Sequence, residues 1–309
     1  MAESPPPFRI GLMVTDQCDV KCAHCWFACA PGKGATMSRY DAEDYIDKAA
    51  QMPSIEWISL TGGEPMLHPS LVEGLVAYAS ERGLRTELVT NCSWAVSLER
   101  AAGTLRRLRD VGLDVLNMSA DDFHQAAIPV ERICNCHVAA KQLGIKMVVM
   151  TALKRSSSIN LTEVSRMLGE EVVRPWRSDP PQGTLIGLES GFIPVGRGAK
   201  ILNSEWHLDG SPLTGGCEVV LRDIGVRPDG EVMPCCSASA TIPGFGIGNL
   251  IECDLGDLLE EAWRSEVFQV LREKGPLGLA EERRDGVYVN KCHLCSEALK
   301  PILHLPILD

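Results

Sequence analysis

Phe8-Arg9-Ile10-Gly11-Leu12-Met13-Val14, a short alternating run, leads almost directly into Cys18-Asp19-Val20-Lys21-Cys22-Ala23-His24-Cys25. The first stretch reads as a strand, and the second as a loop with cysteines spaced C-x3-C-x2-C. Three close thiolates without an obvious fourth suit an iron–sulfur cluster better than zinc, which closes a tetrahedral site with four N or S ligands. A four-iron cube held by three cysteines leaves one iron open to a small molecule. Two rivals share the spacing. Cys29, with Pro31 nearby, extends it toward a ferredoxin-like run in which every iron is protein-bound. His24 offers a zinc-knuckle reading.

The next motif separates them. Thr61-Gly62-Gly63-Glu64-Pro65 follows the apolar run Ile55–Leu60. An electron carrier needs no glycine pair and glutamate at the end of a second strand. A site for a compact zwitterion does, because glycines permit close backbone approach and a carboxylate takes an ammonium group. With both motifs in place the chain resembles the radical S-adenosylmethionine (SAM) superfamily. The resemblance implies that Cys18, Cys22 and Cys25 hold a 4Fe-4S cluster and that Gly62, Gly63, Glu64 and Pro65 bind the methionyl amine of SAM. It also implies reductive cleavage of SAM to a 5′-deoxyadenosyl radical that takes a hydrogen atom from substrate. His24 stands where the family often has an aromatic residue.

Composition agrees with this chemistry. The chain has 309 residues, 45% hydrophobic, enough for an α/β unit with a smaller domain. Thirteen cysteines in a chain with no visible signal peptide fit a reducing cytoplasm with metal-bound thiolates. No apolar stretch is long enough to span a membrane. A net charge of −11 argues against broad phosphate-driven nucleic-acid binding. The arginines at 100, 106, 107 and 109 read as a solvated helix face.

Strand-like runs at 8–14, 57–61, 85–90, 115–119, 145–151 and 184–188 alternate with helix-like runs at 38–51, 69–82, 98–111, 129–143 and 160–168. Ser38 and Pro69 read as helix starts, and Gly83, Gly112 and Gly144 as stops. The alternation predicts a parallel sheet with right-handed crossovers. The family resemblance implies the form: a partial (β/α)6 barrel, open at one side. Sites in such folds gather at the carboxyl ends of strands. Thr90-Asn91-Cys92 and Ser119-Ala120-Asp121-Asp122 sit there, and by resemblance Asn91 and Ser119 contact SAM. A role as turn and cap residues is the competing reading. His24, His124 and Glu189 are candidates for substrate contact, and Lys154 and Arg155 for a carboxylate.

Residues 1–205 form the expected core, 206–300 an auxiliary α+β domain and 301–309 a tail. Cys217 is followed by twelve residues, Gly230, four residues and Cys235, and later by Cys292-His293-Leu294-Cys295. Between the first two, 224–233 reads as a β-hairpin. This spacing resembles the SPASM extension of radical SAM enzymes. Without later cysteines, its shorter twitch form fits best, with Cys217, Cys235, Cys292 and Cys295 holding a second, auxiliary 4Fe-4S cluster. The same four cysteines suit structural zinc. Helices at 255–263 and 267–274 are expected to pack this part against the barrel mouth.

Cys236 adjoins a predicted ligand and is expected near substrate. Peptide epimerases of this superfamily use such a cysteine as hydrogen donor, which makes Cys236 the candidate catalytic residue; a buried inert thiol is the bland reading. The expected function is radical modification, with Cα epimerisation as the named reaction, of a ribosomally made peptide. The alternatives are a twitch-type dehydrogenase of a small alcohol or sugar, and a non-catalytic iron–sulfur electron carrier. A flavodoxin- or ferredoxin-type reductant is the implied partner. Because the first strand begins near Phe8, a leader peptide is expected to need another dock or a separate recognition protein. The tail 301–308 is expected to cover the core or to meet a partner.

Overall fold

In the computed structural model, which describes residues 6–174 and 185–303, the first strand β1 (Arg9–Thr15) is buried along almost its whole length. That burial explains its near-continuous apolar sequence, since a strand covered on both faces has no polar side to show. Around it follow α1 (Arg39–Ala50), β2 (Trp57–Gly62), α2 (Pro69–Glu81), β3 (Arg85–Thr90), α3 (Leu98–Asp110) and β4 (Val115–Ser119). Next come α4 (Asp122–Gln125), α5 (Glu131–Leu143), β5 (Lys146–Leu153), α6 (Leu161–Leu168), β6 (Val172–Val173) and β7 (Leu185–Gly191). Strands β1, β2, β3, β4, β5 and β7 are parallel neighbours in that order, the expected six-strand partial barrel. The expected sixth strand is β7; its proposed first residue, Thr184, lies outside the described residues.

Local chemistry sets the boundaries. The Ser38, Ser97 and Asn160 side chains accept the first free N–H groups of α1, α3 and α6, satisfying donors no helical carbonyl can reach. Gly144 ends α5 at φ +69°, a left-handed turn that suits glycine.

The sheet is larger than the alternation predicts. The hairpin of β8 (Asp223–Val226) and β9 (Glu231–Met233) does not build a sheet of its own: β8 lies parallel against the free edge of β1. A buried strand needs backbone partners on both edges, and β8 satisfies the second. Arg9 fixes the register through two bonds to Asp223, at 2.8 and 2.5 Å. Beyond β9 lies β10 (Gly248–Asn249), and β6 borders β7 at the opposite end, leaving the sheet open. Then follow α7 (Leu255–Arg264), α8 (Glu266–Glu273) and α9 (Lys291–Ile302). One core joins Leu12, Leu60 and Leu88 to Leu250, Leu258 and Leu299. A division at 205/206 is therefore a proposal about which residues bind which cluster, since core and sheet cross it. The tail beyond residue 303 lies outside the described residues. No helix among the described residues is long and apolar enough to cross a membrane.

Candidate functional site

The loops after β1, β2, β3 and β4 converge on one cavity of about 550 Å³. Its wall holds Cys18, Cys22 and Cys25, then Gly62 and Gly63, then Asn91 and Ser119. Cys236 enters the same wall from the far side of β1. Lys154 and Arg155 do not line it.

The glycine pair is needed by the chain itself. Gly63 N–H donates to Thr15 O at 2.7 Å, and Glu64 N–H to Gln17 O at 2.8 Å, so the loop after β2 lies flat on the root of the cysteine loop. Gly62 sits at φ +133°, and a Cβ on either glycine would run into the Thr15 or Gln17 backbone.

Glu64 departs from expectation. Its carboxylate does not face the cavity; it is 1% exposed and turned behind the loop. Oε1 accepts from Met66 N at 2.9 Å and Thr90 Oγ1 at 2.8 Å, and Oε2 from Asn91 N at 2.8 Å. Burial lifts the carboxyl to about 7, although these three donors pull it down. The residue staples the loop after β2 to the loop after β3.

Asn91 ties β3 to the cysteine loop: Nδ2 donates to Asp19 Oδ1 at 2.9 Å and lies 3.8 Å from Cys18 Sγ. Burial pushes the Cys18 thiol up to about 12, whereas Cys25 is drawn down to about 6, chiefly by a hydrogen bond from the Cys29 thiol. Cys29 thus stands beside Cys25 on the same cavity wall. His24 does not join the cysteines as a knuckle ligand. It stacks on Phe123 at 4.4 Å and meets His124 edge-on at 5.0 Å. Burial lowers His24 to about 4, while Asp121 holds His124 up at about 10 against its own burial. Glu189 is committed to the fold: it accepts from Leu161 N at 2.8 Å and pairs with Arg174 at 2.8 Å.

Arg197 carries no motif and was not among the expected residues. Its Nε donates to Cys22 O at 2.8 Å and its main-chain N–H to Cys25 O at 3.1 Å. Glycine on both sides is the available signal: a Cβ at Gly196 would collide with the Trp26 carbonyl.

The second cysteine set also converges. Cys217, Cys235, Cys292 and Cys295 line a cavity of about 40 Å³ between β9, α8 and α9. The C-x2-C pair lies in the first two turns of α9, capped by Asn290, and its i, i+3 spacing puts both cysteines on one helix face. His293 between them is no ligand. It is 3% exposed, accepts Val289 N–H at 3.2 Å and packs edge-on against Trp206 at 4.8 Å. Among the described residues, the one group of three or more His, Cys, Asp or Glu ligand atoms within 4.8 Å of one another is His24, Asp121 and His124. The four cysteines supply a thiolate set that a four-iron cluster or structural zinc could take. Anaerobic reconstitution should give about eight irons per chain, falling to about four in a Cys292→Ala/Cys295→Ala variant; one equivalent of zinc with four irons in the parent would refute the second cluster.

The Cys236 surface is accessible but opens inward, beside Gly11, where an added Cβ would stand 3.0 Å from its sulfur. Burial pushes this thiol up to about 12, with Asp223 adding to the effect.

The profile described as the radical SAM superfamily matches residues 12–157, and that of the SPASM iron–sulfur cluster-binding domain matches residues 217–296. The PqqA peptide cyclase of Gluconobacter oxydans is 26% identical over 301 residues, spanning 86% of this chain and 79% of that protein. The putative peptide biosynthesis protein YydG of Bacillus subtilis is 21% identical over 233 residues, spanning 74% and 69%. The structure of BtrN in complex with AdoMet and 2-DOIA superposes with a TM-score of 0.56 over 95% of this chain and 97% of that one, at 16% identity. That likeness is one of fold.

Proposed function

The chain belongs to the radical SAM superfamily and carries an auxiliary iron–sulfur domain, and on that premise we propose that it inverts a stereocentre in a ribosomally made peptide, with Cys236 as hydrogen donor. The clusters and SAM, when bound, supply the 5′-deoxyadenosyl radical and the route for its electron. The protein's own part is placement. Cys18, Cys22 and Cys25 hold the first cluster at the mouth of β1; Gly62, Gly63, Asn91 and Ser119 shape the wall beside it. Cys217, Cys235, Cys292 and Cys295 hold the second.

The observation that carries the reading is the thiol of Cys236 opening into the cavity that the cluster cysteines line. Substrate loses hydrogen on its cluster-facing side and receives hydrogen from the Cys236 S–H on the other, which inverts the carbon and leaves a thiyl radical. Resetting the thiol takes one electron and one proton, the electron coming from a flavodoxin- or ferredoxin-type reductant. A peptide substrate is supported by two relatives named for peptides.

Cys236→Ala should keep 5′-deoxyadenosine formation at the parent level while abolishing inverted product. In deuterated water the parent should place deuterium on the inverted carbon, because a thiol exchanges with solvent. Product formed unchanged by Cys236→Ala would sink the donor role and favour oxidation of a small alcohol or sugar, which needs no such thiol.

A further inference from the structure

Arg197 lies just past β7, in the short helical turn Gly196–Lys200 that folds back over the cysteine loop. Its Nε donates to Cys22 O at 2.8 Å and its main-chain N–H to Cys25 O at 3.1 Å. One residue thus grips the backbone of two expected ligands of the first cluster. The flanking glycines bring it there. Gly196 turns at φ +56° and leaves no room for a Cβ beside Trp26 O, and a Cβ on Gly198 would stand 3.4 Å from His24 O.

Nη2 of the same guanidinium is buried and has no acceptor among the described residues. Leaving a charged donor buried and unanswered is costly. An arginine cannot escape that cost by giving up its proton, because it stays charged at any working pH. Arg197 lines the cavity together with Cys18, Cys22 and Cys25, so the acceptor that answers it is an anion the cavity takes up. Two such anions accompany the radical SAM reading: the sulfurs of the first cluster and the carboxylate of SAM. The grip favours the cluster. The guanidinium is planar and its Nε is set on the main chain of Cys22, so the loop that carries the thiolates also fixes Nη2. Cys22 itself packs with Phe123 and Phe192, an apolar setting in which a fixed charge acts strongly.

We propose that Arg197 is a positioning residue that sets a permanent positive charge and an N–H donor against the first cluster, raising its reduction potential. Reduction adds one negative charge to the cluster. A nearby cation therefore stabilises the reduced form more than the oxidised one, and hydrogen bonds to cluster sulfurs act in the same direction. A bare backbone clamp is the competing role, and it needs the Nε–H but no charge.

The inference rests on Cys18, Cys22 and Cys25 holding the first cluster, a premise that iron analysis of the parent tests separately. The reconstituted full-length chain, without SAM, is titrated by EPR at controlled potential. A parallel sample with SAM identifies the first cluster by its spectral change. Arg197→Gln keeps an N–H for Cys22 O and loses the charge, whereas Arg197→Lys keeps the charge and loses the planar fork. At the parent midpoint, Arg197→Gln should lower the reduced-to-oxidised ratio about tenfold or more, 59 mV for one electron, and Arg197→Lys should lower it less. A ratio within about threefold of the parent in Arg197→Gln overturns the proposal, as does an equal or deeper drop in Arg197→Lys. A parent-like ratio with the SAM-induced change lost also overturns it, and gives Nη2 to the carboxylate of SAM. Should Arg197→Gln hold only the auxiliary irons, Arg197→Lys decides. A loaded first cluster in that variant sustains the role of the charge, and an empty one leaves Arg197 a clamp and overturns the proposal.

Discussion

Gly63→Ala is expected to strip the protein of its first cluster while leaving the second in place. The added Cβ would sit against the carbonyl of Gln17, the residue before Cys18. That contact is with backbone on both sides, so no side chain can swing away to relieve it. Relief comes only by parting the loops after β1 and β2, which breaks the bonds from Gly63 N to Thr15 O and from Glu64 N to Gln17 O. Overpacking of this kind costs about 1–3 kcal/mol, which a domain this size survives. The displacement is more damaging than the energy, because shifts of about 1 Å at a reacting centre cost about 100-fold in rate. Reconstituted iron should fall from about eight to about four per chain, and 5′-deoxyadenosine should drop by about 100-fold or more. Parent-level iron and cleavage would show that the two loops part without moving the cysteines. Auxiliary iron lost as well would show that the variant is unfolded rather than locally displaced.

How far the site is legible in the sequence follows from what each signal encodes. The alternating runs and the stops at Gly83, Gly112 and Gly144 locate strands and helices because local sterics and capping act within a few residues. They say nothing of the partner β1 acquires from more than 200 residues away, where the register Arg9 to Asp223 depends on an ion pair between distant elements. Cysteine spacing marks both ligand sets, since a cluster demands several thiolates from short segments. A motif names residues but not the direction their side chains take. Glu64 turns away from the cavity, Glu189 caps α6 and His124 is held by Asp121, so each already has a partner within the fold. Cys29 had the reverse fate: the Gly62–Pro65 motif set it aside, yet the fold places it against Cys25. Arg197 was invisible because one arginine between glycines has no chemistry until the loop of Cys22 is folded over it.

Glu64→Ala should destabilise the fold by about 3 kcal/mol or more, whereas a carboxylate that merely took the ammonium of SAM would be dispensable to stability. Removing it leaves Met66 N, Asn91 N and the Thr90 hydroxyl without their acceptor in a site 1% exposed. Each buried orphan costs about 1–3 kcal/mol, and Thr90 can regain only part of its bonding. Thr90 Oγ1 also receives Cys92 N at 3.1 Å and Trp94 Nε1 at 2.9 Å, so the loss spreads along the loop after β3. Its pH dependence has a definite sign. The folded carboxyl titrates at about 7, above its ordinary value of 4.5. Between those values the native chain holds a proton that the unfolded chain has lost, so this group's contribution is fullest at low pH and declines as pH rises through about 7. Urea midpoints of parent and Glu64→Ala, compared from pH 5 to 8, should show the gap between them narrowing as pH rises. Equal midpoints, with SAM affinity alone reduced, would return Glu64 to the role its motif predicts and overturn the staple.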